Sequence, residues 1–171
     1  MDDKTEMKSG TIKDLIKDIQ NKGVGEMIIE FKNQELQIVG IFLRELGLKG
    51  KESRARTLLC KRLEDKLKDY IAELGEIQKE YAKKDDVGNV MTSEGSALLF
   101  ETEEDERVYY TEANRLAEEE AVIDCTEVMA KMKSLLAGLE NLDVELKGND
   151  AAIYDAVCEQ LENLQTEEEE N

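Results

Sequence analysis

The sequence predicts a mainly α protein: a helical bundle organised on one long helix, with two or three short β-strands at its margin. Three observations carry this expectation. Proline is absent and Glu, Lys, Leu and Ala dominate, so nothing interrupts long helices. Aromatic residues make up only 5% and Trp is missing, so aliphatic side chains must fill the core. Apolar residues also recur at helical spacing through most of the 171-residue chain, a length that suits one domain or one core with appendages.

Each element has its own local reason. Residues 11–22 place Ile12, Leu15, Ile16 and Ile19 on one helical face, with Ser9 or Thr11 as cap and Gly23 and Gly25 as terminators. Residues 27–32 (MIIEFK) are a short β-type run. Asn33 is placed to cap a helix through Leu46, with Leu36, Val39, Phe42, Leu43 and Leu46 at helical spacing and Gly47 as its stop.

Residues 53–84 read as the long helix. Leu59, Leu63, Leu67, Tyr70, Leu74, Ile77 and Tyr81 recur at intervals of three and four, a seam close to the 3.5-residue period. Such a seam fits an intramolecular bundle or a homo-oligomer. The turn-rich residues 85–95 are expected as a mobile loop, 96–102 as a second short strand and 103–120 as a charged helix. Ala121 to Ile123 is an extended candidate, and Asp124 with Glu127 has the form of a helix-start box for a helix to Leu142. A last helix runs over residues 150–164, and the acidic tail that follows is expected to be disordered.

Charge is distributed unevenly. Residues 44–68 hold nine basic and four acidic residues, while the remainder holds 14 basic and 37 acidic. Lys49, Lys51, Ser53, Arg54, Arg56, Lys61 and Arg62 crowd one loop and the first turns of the long helix, where side-chain charge adds to the helix dipole. Arg54, Lys61 and Arg62 are expected on the side away from the Leu59/Leu63 seam, open to an acidic ligand. The competing reading is that the block neutralises the chain's own acidic helices, the 103–120 segment above all.

Composition excludes much chemistry. Without histidine there is no Ser-His or Cys-His nucleophile arrangement, and the commonest metal ligand is missing. Cys60, Cys125 and Cys158 are too scattered for a zinc site and fit buried, reduced thiols. No glycine-rich phosphate loop occurs. Glu112, Glu118, Glu119, Glu120 and Asp124 lie close in sequence but do not reproduce the paired EExxE and ExxD spacing of helical Mg²⁺-dependent nucleotide hydrolases. A solvated face is the simpler reading. Net charge of −18 and the lack of aromatics in the basic block also disfavour nucleic-acid binding. No apolar run suits a signal or a membrane span, so a cytoplasmic protein without a cofactor is expected.

Three segments carry a family resemblance: MIIEFKNQELQIVGIFLREL, the loop-to-helix run LKGKESRARTLLCKRLED, and EEEAVIDCTEVM with the final helix. Together they resemble a family of small uncharacterised proteins from phages and prophages of Gram-positive bacteria, a domain of unknown function. The resemblance implies residues 1–26 as an N-terminal extension and 27–164 as a single mainly helical domain, and the charge run makes 165–171 an acidic disordered tail. It implies a phage origin, often with genes near tail and lysis modules, and no established activity, and it supplies no catalytic residues. The expected function is then that of a non-enzymatic interaction protein, an assembly factor or minor component linked to the tail module, cytoplasmic in the host or virion-associated. Its partner would be a phage structural or a host protein. The alternative is an acidic host-directed inhibitor that mimics nucleic acid or blocks a defence enzyme; the third is a carboxylate-metal nucleotide hydrolase.

Overall fold

The computed structural model describes residues 26–163. Strand β1 (Ile28–Lys32) leads through a 3-10 turn (Asn33–Glu35) into α1 (Leu36–Glu45), followed by α2 (Gly50–Tyr81) and α3 (Glu103–Glu118). Strand β2 (Glu120–Asp124), a 3-10 turn (Thr126–Val128), α4 (Met129–Glu140) and α5 (Asn149–Glu162) complete the chain. The architecture is mainly α and is organised on α2, 32 residues long. The helix expected at residues 11–22 and the acidic tail lie outside the described residues.

The two strands form an antiparallel ribbon in which Ile28 pairs with Asp124 and Lys32 with Glu120. Their alternation turns Ile29, Phe31, Ala121 and Ile123 inward, where all four are buried. A two-stranded ribbon is marginal in water, and here helices hold it in place. Gln160 of α5 accepts the outward Glu30 N–H at 3.0 Å, and Arg62 of α2 donates to the Asp124 carbonyl.

Around this ribbon α1, α4, α5 and the first half of α2 bury one aliphatic core, with Leu43, Leu59, Met132, Leu135 and Leu139 at 0% exposure. The crossing of α2 with α4 is close. A Cβ built on Gly138 would lie 2.7 Å from Glu52 Cγ and 2.8 Å from Glu52 Cβ, so only glycine fits. Gly148, at φ 56° and ψ −128°, takes a backbone conformation closed to other residues and starts α5.

The second half of α2 leaves this core and forms an arm with α3. The chain leaves α2 at Ala82, returns to pair there at Phe100, and α3 packs back against α2. Asn33 anchors the returning end: its amide donates to Leu116 O at 2.8 Å and its backbone N–H to Glu119 O at 2.9 Å. Glu118 joins the clamp by accepting from Lys32 Nζ at 2.5 Å and Gln34 Nε2 at 2.6 Å. Asn33 therefore caps the end of α3, where the sequence suggests it caps the helix that follows it.

Residues 85–95 form the expected turn-rich segment, tied by hydrogen bonds: Asp85 accepts from the Val87 and Asn89 N–H groups, and Lys83, Met91 and Leu99, eight residues apart, close a cycle of three backbone hydrogen bonds. Three other local expectations are corrected. Residues 96–102 form isolated bridges at Leu98 and Phe100 to this meander in place of a strand. Asp124 ends β2 and accepts from Thr126 N at 2.8 Å, opening a 3-10 turn, and α4 begins only at Met129. The long helix is also shifted three residues earlier than expected, because the return pairing pulls Ala82 into extended backbone.

Candidate interaction surface

The basic block divides by what each side chain touches. Lys49, in extended backbone, is the last residue before α2 and has no side-chain capping bond. Arg56, one and a half turns into the helix, is half-buried. It donates to Leu46 O at 2.5 Å, at the end of α1, and to Ser53 Oγ at 3.0 Å. Arg56 and Ser53 are thus taken up in holding the α1–α2 corner. Arg62 is half-buried against the end of β2, where it donates to the Asp124 carbonyl. It does not share the open side expected for it, because a position three residues after Leu59 flanks the buried face. Arg44, before the block, pairs with Glu64.

Lys51, Arg54 and Lys61 are different. All three are exposed, and among the described residues none of them, nor Lys49, makes a salt bridge or a side-chain hydrogen bond. Lys49 stands on the lip of a groove of about 420 Å³ between the start of α2 and the end of α4, near Leu48, Leu142 and Val144. The acidic α3 does not neutralise these cations. Its Glu104 pairs with Arg107, Glu112 with Arg115, and Glu118 with Lys32.

The carboxylates considered for a metal are also dispersed. Glu112 and Glu119 flank Arg115, Glu118 faces Lys32, and Asp124 turns into its own 3-10 start. Hydrogen bonds from Thr126 hold the Asp124 carboxyl below its ordinary range, with Arg62 adding a smaller effect. Among the described residues no three acidic or cysteine side chains form a metal-holding group. Cys60, Cys125 and Cys158 are free and buried, and burial pushes all three thiols up, away from thiolate chemistry. No described helix is long and apolar enough to cross a membrane.

No family model, no curated protein and no solved structure matches the chain. The surface is therefore read from its own chemistry. Sequence alone marks the basic block by its contrast with an acidic background, but cannot sort it. Arg56 and Arg62 are consumed by backbone carbonyls that come together only in the fold. Asn33 and Gly138, which fix the arm and the α2–α4 crossing, carry no sequence signal beyond being a polar residue beside a strand and a glycine inside a helix.

Proposed function

We propose that this chain is a non-enzymatic, phage-encoded interaction protein that grips an acidic protein partner through Lys49, Lys51, Arg54 and Lys61. One observation carries the reading: in a chain with 41 acidic residues, these four cations make no ion pair among the described residues. An exposed cationic group set on a rigid helix costs little to present and gives a partner orientation and on-rate through charge. Among the described residues the scattered carboxylates and raised thiols offer no converging set of groups for a metal ion. A role as an assembly factor or minor component linked to the tail module follows from the family resemblance.

The test is affinity capture from infected cells with the wild-type chain and with a Lys51→Glu, Arg54→Glu, Lys61→Glu variant. The wild type is expected to retain a phage structural protein that the variant loses. Equal retention by both refutes the basic surface. A host nuclease or polymerase retained equally by both supports the alternative, an inhibitor acting through its acidic face.

A further inference from the structure

We propose that residues 142–147, between α4 and α5, form a docking edge for an extended segment of another protein in which apolar residues alternate with Lys or Arg. The chain here runs Leu142, Asp143, Val144, Glu145, Leu146, Lys147, the two-residue alternation of a strand. Neither strand of the ribbon uses it. Among the described residues, none of 143–147 makes a backbone hydrogen bond, and the segment has no regular structure of its own. Backbone donors and acceptors left unpaired in a row are a template for an added strand.

Both ends of the segment are fixed. Asn141 closes α4 by donating to Ala137 O at 2.6 Å, and Gly148 opens α5. Leu142 and Leu146 are half-buried and packed on the core, while Val144 between them is 50% exposed. The Tyr154 hydroxyl donates to Leu139 O at 3.1 Å and ties the start of α5 to the end of α4. An edge already held in place costs a partner less to pair with than one that must first be ordered.

Charge selects the side and the occupant. Two open grooves share Leu142 and Val144. The one toward α2 is mixed in charge, with Lys49 beside Glu52 and Asp143. The one toward α5, of about 450 Å³, is walled by Leu146, Ala151, Tyr154 and Asp155, with no cation among its lining residues. Asp143 and Asp150 adjoin that lining in sequence, and neither they nor Asp155 make an ion pair among the described residues. Lys147 is already matched by Glu145 at 2.9 Å. An apolar wall edged by unpaired carboxylates suits apolar side chains flanked by cations, and it repels the acidic partner assigned to the basic surface of α2. The two surfaces are separate.

The probe is a synthetic peptide, Lys-Val-Lys-Ile-Lys-Val blocked at both ends, titrated into the full chain and followed by amide NMR and hydrogen exchange. Amides of residues 143–147 are expected to exchange freely in the chain alone. With peptide bound, alternate amides among them should shift and slow at least tenfold, since only one edge is paired. A peptide of the same residues with its three Lys grouped at one end should bind at least tenfold more weakly. Asp143→Lys with Asp155→Lys should weaken the alternating peptide by a similar factor and leave capture through Lys51, Arg54 and Lys61 unchanged. Asp86→Lys with Glu94→Lys makes the same change in net charge at the far end of the arm and should leave peptide binding unchanged. All four substituted residues are exposed, so folding is retained. Equal binding of the two peptides, or an equal loss in the two variants, reduces the effect to general attraction and overturns the proposal. So does a titration that leaves the amides of 143–147 unmoved. Amides already protected in the chain alone overturn it too, because the edge is then covered by the chain itself.

Discussion

Along α2, residues 50–63 place Ala55, Leu59, Cys60 and Leu63 in the core, whereas residues 64–81 bury none, although the same apolar seam continues through Leu67, Tyr70, Leu74, Ile77 and Tyr81. The first half lies against α1 and α4 together, and the second against α3. A period of three and four residues selects a face of a helix. How deeply that face is buried depends on how many neighbours reach it. The arm is therefore the thinner layer, held by the Asn33 clamp at one end and by the backbone cycle of Lys83, Met91 and Leu99 at the other.

The largest expected effect separates the two halves directly. Leu63→Ala should cost about 2–5 kcal/mol, since its side chain is 1% exposed in a packed core. Leu74→Ala, half-buried on the arm, should cost only about 1 kcal/mol. Urea denaturation of both variants measures the contrast, and equal losses would show the arm to be as well packed as the body.

A smaller effect tests the crossing that anchors the first half. Gly138→Ala gains about 1 kcal/mol of helix propensity. It also drives a methyl group into Glu52 Cβ and Cγ, an overpacking that costs about 1–3 kcal/mol. The net expectation is a modest loss of stability in thermal unfolding. A more stable variant would mean that α2 and α4 can separate freely.

The smallest effect concerns the clamp on the arm. Hydrogen bonds from Lys32 and Gln34 hold the Glu118 carboxyl below its ordinary range. A carboxylate whose value is lower when folded stabilises the protein above its unfolded value, and that contribution fades as pH falls through the folded value. Glu118→Gln removes the titration. Its melting temperature should lie slightly below wild type near pH 7, and the two should converge as pH falls through the folded value. Curves that stay parallel would remove the carboxylate from the clamp.

Much of this was legible in the residues. The seam of α2, the alternation of Ile29 and Phe31, and the spacing of Met132, Leu135, Leu136 and Leu139 each follow from side-chain period, and each of these residues outside the distal seam is buried as its period requires. Residues 85–95 were less legible, because glycine, Asp and Asn signal a turn without saying which backbone groups will close on it. Lys83, Met91 and Leu99 meet only after α2 has ended and α3 has begun.

The candidate surface divides in the same way. Composition alone determined that this chain is helical, acidic and histidine-free, with one cationic segment opening its longest helix. Those properties are local, set by the identity and spacing of neighbouring residues. Only tertiary structure decided that Arg56 and Arg62 serve the carbonyls of Leu46 and Asp124, while Lys51, Arg54 and Lys61 remain outside. A helix has several faces, and the sequence does not say which carbonyl, carboxylate or stretch of solvent lies beside each one. That is settled when distant segments pack together and desolvated backbone oxygens take the nearest donors.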